Sequence, residues 1–492
     1  MCRVHRLLTL FFFVLAARGQ NKCLPCHRPQ TQAYAATGMA HSISTWKSPG
    51  GELSHPFSNS RLIIQTKRGR MTHRIERNKL ISEYPVALTI GSGSVGQSFA
   101  VAIGGHLYES PISWFSQRAR WDVSPGYERD PAPDFDRRIE PECLNCHGSG
   151  TSQSIETFTP ISCERCHFKA TGHFTNPARM SAEERGRVCE GCHLQGEARI
   201  LAPGSSWADR NPSFTTYVSS TPSPGLKVVS QVEQLALSKC ARESSGELWC
   251  GSCHNPHGAT VSFQQVCTGC HKAAAISQRH SGYNGECVSC HMPKQRTPEV
   301  AHTAYTDHRI QIPGRGVPVL AQTPRTLRAW REPPIALRDR NLGLAYIYAG
   351  QGQNSAEWIQ QGFALLLPLP TKDAEVYSAL GSVLLQKQRP KEAVLMYGKA
   401  ERLNPARAES AHNLAVAELA AGDLPGAISQ LKRAVSLDPY YERSWLLLTS
   451  VYTQLGQIER RTATVEQYLK LVPQNLTFRA LQRQISPASR HN

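Results

Sequence analysis

The sequence Cys-x-x-Cys-His occurs seven times, at Cys23–His27, Cys143–His147, Cys163–His167, Cys189–His193, Cys250–His254, Cys267–His271 and Cys287–His291. Fourteen of the 16 cysteines fall in these motifs. The spacing suits one chemistry. Two thiols three residues apart can each form a thioether to a porphyrin edge, and the next side chain is then held under the iron. The predicted attachment thiols are Cys23 and Cys26, Cys143 and Cys146, Cys163 and Cys166, Cys189 and Cys192, Cys250 and Cys253, Cys267 and Cys270, and Cys287 and Cys290. The predicted proximal iron ligands are His27, His147, His167, His193, His254, His271 and His291. A disulfide framework does not require a histidine after every second cysteine. Zinc ribbons pair two Cys-x-x-Cys knuckles per metal, and seven is odd. A thioredoxin-like site needs one motif on a βαβ unit. The reading is therefore seven covalent c-type haems, and a function that handles electrons.

The sixth coordination position decides whether such an iron carries electrons or performs chemistry. The chain has 19 histidines. Outside the motifs, His5, His412 and His491 lie far from the haem region, which leaves His41, His55, His73, His106, His173, His257, His280, His302 and His308. His257 follows His254 too closely to bind the same iron, so it would serve a neighbour. His280, His302, His308, His173 and His41 are the other candidate distal ligands. His55, His73 and His106 are weaker, the last two because they fall in predicted strands. Met39 competes as a sulfur ligand that would raise one potential. Nine candidates for seven irons permit full bis-histidine ligation and equally permit one open iron.

Residues 1–19 read as a secretory signal. Arg3 and Arg6 supply positive charge, Leu7–Leu15 is apolar but too short to span a bilayer, and Ala17-Arg-Gly19 offers small residues for cleavage. The expected location is the periplasm, with the outer surface as the alternative. Cys2 would leave with the signal. Cys240 is the remaining cysteine outside the motifs, read as a packed structural thiol. The formal charge of +17 does not imply nucleic acid. Seven haems with two propionates each would offset roughly 7 to 14 positive charges.

The expected fold is a multihaem cytochrome domain at 20–312, mostly irregular with short helices, followed by an all-α solenoid. Residues 55–125 carry no motif and read as a small inserted antiparallel sheet, with strands Arg61–Thr66, Met71–Arg77, Tyr84–Ile90, Ser98–Ile103 and His106–Glu109. Gly91-Ser-Gly93-Ser-Val-Gly96 matches a dinucleotide fingerprint formally, but the following residues read as strand, so it is a turn. The stretch 196–246 reads as a surface excursion, and 313–337 as a Pro-rich linker. Beyond it, Leu380, Leu414 and Leu448 recur every 34 residues, as do Pro405, Pro439 and Pro473. That period is the tetratricopeptide repeat, with about four units over 338–475 and a tail at 476–492.

The run Cys287-Val-Ser-Cys290-His291-Met292-Pro293-Lys294, followed by His302 and His308, resembles the C-terminal haem segment of bacterial multihaem cytochromes. Cys250-Gly-Ser-Cys253-His254-Asn-Pro-His257 resembles their doubled-motif segments. That superfamily includes pentahaem nitrite reductases, hydroxylamine oxidoreductases, octahaem sulfite reductases and tetrahaem carriers. The resemblance implies that His302 and His308 are distal ligands and that His257 and His280 ligate neighbouring haems. It departs from the nitrite reductases, which place a lysine where all seven motifs here keep histidine. The expected function is an exported electron carrier with a repeat domain for docking protein partners, redox partners among them. No nucleic acid and no integral membrane segment after signal removal are expected. The alternative is an oxidoreductase acting on a small nitrogen or sulfur oxyanion at one open iron.

Overall fold

The computed structural model describes residues 23–44, 49–148, 158–167, 169–171, 173–209, 212–221, 225–272, 276, 280, 286–297, 299–300, 302–314 and 325–485, with 169–171 and 173–174 described by backbone alone. The predicted signal, with Cys2 and His5, and the chain end with His491 lie outside these residues.

The N-terminal part is built on a sheet larger than the small insertion expected. Strands β1 (Ile43–Ser44), β2 (Gly51–Ser54), β3 (Arg61–Lys67), β4 (Arg70–Arg77), β5 (Leu80–Ile90), β6 (Gln97–Ile103), β7 (His106–Phe115) and β8 (Arg120–Val123) form an antiparallel meander in the order β2 to β8, with β1 beside β5. Alternation sets its faces: Leu62 and Ile64 of β3 are buried while Arg61 and Lys67 are exposed. Leu62, Ile75, Phe99, Val101 and Ile112 fill the core. The two ends of the meander meet. Trp121 Nε1 on β8 donates to Pro49 O (3.3 Å), and the Trp121 ring lies 2.7 Å from where a Cβ on Gly51 would stand. The sheet is therefore barrel-like rather than a flat insertion. Between β5 and β6, Gly91 and Gly93 adopt φ of +108° and +84° in a turn. A strand follows, so the fingerprint reading fails on structure as on context.

The motif region carries short helices that end at or beside a motif histidine: Pro141–His147, Ala182–His193, Cys250–Cys253, Phe263–Cys270 and Cys287–His291. Two expectations need correction here. The stretch 196–246 holds strands β11 (Ala198–Leu201) and β12 (Phe214–Ser219), numbered after the short pair β9 (Lys169–Thr171) and β10 (His173–Phe174). The predicted linker holds β15 (Leu327–Ala329), which pairs with β12 and follows the pair β13 (Lys294–Arg296) and β14 (Ala304–Thr306). Ile200, Tyr217 and Leu327 are buried from this three-stranded sheet. It is an apolar seat, not a surface excursion.

That seat carries the first repeat. Helices α1 (Arg338–Gly352), α2 (Ala356–Leu366), α3 (Ala374–Gln386), α4 (Pro390–Leu403), α5 (Ala408–Ala421), α6 (Leu424–Leu437), α7 (Glu442–Gln454) and α8 (Ile458–Leu471) form four antiparallel pairs. The 34-residue period places Ala393 and Ala427, Tyr397 and Leu431, and Ala400 and Ala434 at equivalent buried positions. Gly381 admits Tyr397, whose ring lies 2.9 Å from where a Cβ would sit. The expected tail begins instead with helix α9 (Leu476–Ile485), whose Leu476 and Phe478 are fully buried. Trp445, Val465, Tyr468 and Phe478 share one apolar core with Val101, Tyr127 and Phe135 of the barrel side. The solenoid is thus held at both ends by the N-terminal part. Among the described residues no helix is long and apolar enough to cross a membrane.

Candidate haem sites

The motif turns at His27, His167, His254 and His271 close alike. The histidine amide donates to the first cysteine's carbonyl at His27, His167, His254 and His271, over 2.8–2.9 Å. This helical turn sets side chains three residues apart on one side, which is where two thioethers must start.

Among the described residues, three motif imidazoles lie beside a second imidazole. Ring centroids are 5.8 Å apart for His167 and His257, 6.2 Å for His254 and His308, and 5.9 Å for His291 and His280. Two imidazoles sharing one metal at about 2 Å each have centroids about 6 Å apart. In every pair one ring is fixed through Nδ1. His167 meets Thr175 O at 2.8 Å, His308 meets Thr306 O at 2.9 Å and His291 meets Gln311 O at 2.7 Å. A carbonyl only accepts, so Nδ1 carries the proton and Nε2 keeps its lone pair. Carbonyl-fixed Nδ1 is the usual outer support of a metal-bound histidine. Burial first, then neighbouring imidazoles, holds His254 and His257 below the ordinary histidine range. Burial is also the leading cause for His308 and His147. All four are neutral near pH 7, the ligating form. The residues therefore fit haem. Among the described residues no group of three or more His, Cys, Asp and Glu could hold a bare ion. A haem iron needs at most two protein ligands, because the porphyrin supplies four nitrogens.

His55, His73, His106, His302 and His412 are used otherwise. Buried His55 donates from Nε2 to Tyr127 O (2.8 Å), and its Nδ1 accepts from Phe57 N (3.3 Å). His73 is wholly enclosed beside Phe99 and Trp121, its Nδ1 on Ser110 Oγ (2.7 Å), and burial pushes it down to about 3. His106 accepts from Arg138 and packs on Tyr440. His302, a distal ligand by resemblance, places Nε2 2.7 Å from Asp122 Oδ2 and its ring against Phe115. That carboxylate engages the nitrogen an iron would need. His41 is exposed at the end of the turn Met39–His41, and Ile43 just beyond it reaches Gly148, the neighbour of His147. The His173 side chain lies outside the described residues. His412 bonds Ser444 within the repeats.

Among thiols of different motifs, Cys23 and Cys163, Cys146 and Cys192, Cys189 and Cys250, and Cys267 and Cys287 are electrostatic neighbours. Half-buried Cys240 lies in the electrostatic surroundings of Cys267. Two arginines that sequence reasoning missed stand here. Arg165 donates to Asn145 O and Oδ1 (2.6 and 2.7 Å), and Arg199 approaches Cys146 Sγ at 3.6 Å. Arg165 sits inside a motif, the one local signal that could have flagged it.

Tetratricopeptide-repeat family models match residues 374–407 and 418–485. The C-terminal helices are tetratricopeptide repeats. The TPR repeat-containing thioredoxin TTL4 of Arabidopsis thaliana is 34% identical over 87 residues. The match covers 18% of this chain and 13% of that protein, so the chain spans a small fraction of its relative's length. Among solved structures, the first TPR of Spaghetti (RPAP3) bound to an HSP90 peptide is 24% identical over 23% of this chain and 91% of that chain, with a TM-score of 0.21. The TPR protein YrrB is 16% identical over 30% of this chain and 75% of that chain, with a TM-score of 0.26. These likenesses concern the repeats alone.

Proposed function

We propose that the chain is an exported multihaem c-type cytochrome that moves electrons through seven covalently held haems and docks protein partners through its repeats. The observation that carries this reading is the three histidine pairs at iron-sharing separation, each with one Nδ1 fixed on a carbonyl. His257, His308 and His280 would be the distal ligands of the irons under His167, His254 and His291. The haems supply reversible one-electron chemistry when bound. The chain's own residues hold the rings, keep them neutral and close the turns that present the thiols. Extended concave surfaces of stacked repeats are suited to protein ligands.

The test is expression in a host with c-type haem maturation, exported under the protein's own signal. The intact mass of the mature chain should exceed the polypeptide by seven haems, and haem peptides should map to all seven motifs. Unmodified thiols at the motifs would overturn the reading. The oxidoreductase alternative draws support from Arg165 and Arg199 beside Cys146, since basic groups near an open iron would stabilise an oxyanion. A high-spin signal in the oxidised protein that responds to nitrite or sulfite would favour it.

A further inference from the structure

We infer that Asp307 is the positioning residue for two histidine pairs at once, His254 with His308 and His291 with His280, because it holds together the one run of chain that supplies both of their carbonyls. This deepens the haem reading and rests on it.

The run is short, from Thr306 to Gln311. Thr306 O fixes Nδ1 of His308, and Gln311 O fixes Nδ1 of His291. Asp307 stands between them, 1% exposed. Its Oδ1 accepts from Arg309 N and Nε, each at 2.9 Å. Its Oδ2 accepts from Arg309 Nη2 at 2.6 Å, Gln295 Nε2 at 3.0 Å and Gln311 Nε2 at 3.4 Å. The Asp307 amide donates to Pro293 O at 3.0 Å, and the Gln311 amide donates to His291 O at 2.9 Å. From the other side Gln234 Oε1 accepts from His308 N at 2.8 Å. The carboxylate thus ties the run to itself and to β13, the strand that follows the seventh motif.

Two further features point to geometry as the use of this run. Ile310 is β-branched yet adopts φ of +48°, in the left-handed region that such residues avoid, and this bend returns Gln311 to His291. Arg309 is 6% exposed, so it and Asp307 form a buried ion pair. Desolvation cancels much of the attraction in such a pair, and what remains is a fixed arrangement. Outer partners of this kind orient a ligating imidazole. The third pair, His167 with His257, hangs on Thr175 O elsewhere in the chain and serves as the internal control.

The test uses the full haem-loaded chain and the variants Asp307→Asn and Arg309→Lys. Mass spectrometry first counts haems. Seven in the parent establish attachment separately from positioning, whereas unmodified thiols would sink both. Paramagnetic resonance of the oxidised protein then reads the low-spin signals, with His308→Ala and His280→Ala assigning two of them. Asp307→Asn keeps the shape but turns one accepting oxygen into a donor that faces donors. It should keep seven haems, shift those two signals or convert them to high spin, and leave the His167–His257 signal unmoved. Arg309→Lys keeps the charge pair but loses the fork, and should disturb the same two signals less. A variant that melts earlier yet keeps every low-spin signal in place would overturn the proposal, since a merely structural ion pair lowers stability and leaves ligand orientation alone. A shift of one signal only, or of the His167–His257 signal as well, would overturn it too. Should Asp307→Asn fail to fold, as read by far-ultraviolet circular dichroism, Arg309→Lys decides by the same criteria.

Discussion

Asp134 sits where the last repeat meets the barrel, and its charge should tune that seat. It is 2% exposed, and its carboxyl accepts from Leu476 N at 2.6 Å and Phe135 N at 2.9 Å. Asp136 and Glu442 add negative charge beside it, and Arg77 opposes them. Burial pushes Asp134 from 3.8 up to about 6. At 1.36 kcal/mol per pH unit, that difference is worth about 3 kcal/mol. The sign follows from linkage. The folded state holds the proton more tightly, so the stabilisation is complete below the unfolded value and is lost as pH rises from about 4 through about 6. The substitution Asp134→Asn removes this titration. It also loses one acceptor, which lowers stability by about 1–3 kcal/mol at every pH. Thermal unfolding by circular dichroism at 222 nm reads the slope rather than the offset. Between about pH 4 and pH 8 the parent should lose about 3 °C more than D134N, because unfolding a chain of this length carries an entropy of about 1 kcal/mol per kelvin. Other buried groups add residual slope, among them Asp136 and Glu442, pushed up to about 7 and about 8 by burial. Equal slopes in parent and variant would refute the assignment.

Under the proposed ligation, His308→Ala should leave seven haems attached and convert one from low to high spin, visible by paramagnetic resonance. An unchanged low-spin count would remove His308 from the ligand set. Gly104, at φ +57°, lies against the Tyr440 ring with no room for a Cβ. Gly104→Ala should therefore unseat the last repeats and expose the α6–α7 turn to limited proteolysis, at a cost of about 1–3 kcal/mol. Arg340 is nearly buried, pairing with Asp373 (2.6 Å) and Glu375 (2.8 Å) and donating to Leu201 O. Arg340→Met should destabilise the junction of first repeat and three-stranded seat by about 2 kcal/mol, measured by urea unfolding.

What the sequence reveals is what repeats locally. The motif occupies five residues and the solenoid period is 34, so both are legible without knowing the fold. The barrel was undersized because its closure is not local: Trp121 meets Gly51 across 70 residues, and β2 and β8 are four residues each. Strands β11 and β12 were hidden for the same reason. The second partner of β12, strand β15, lies more than 100 residues on, in a segment whose prolines read as linker. The distal histidines divide along this line. Proximity bars His257 from the iron under His254, but nothing in the spacing names His167 as its neighbour. The carbonyls of Thr175, Thr306 and Gln311 carry no side-chain signal at all. His302 looked equivalent to His308, and only the fold shows Asp122 engaging it.

The repeats also change character once the two apolar cores are seen. A tethered docking module would keep its own core and leave the N-terminal part to itself. Here α1 buries Leu344 and Ile347 against Ile200, Tyr217 and Leu327, while α7 to α9 bury Trp445, Tyr468 and Phe478 against the barrel. The motif region between these anchors spends about 40 residues per motif and has little aliphatic core of its own. Apolar burial contributes about 1.5–3 kcal/mol per large side chain, so these two seats are a major part of what holds the N-terminal part in place. A partner bound in the repeat groove would therefore pull on the barrel and on the segment leading into the second motif through Asp438 and Arg138.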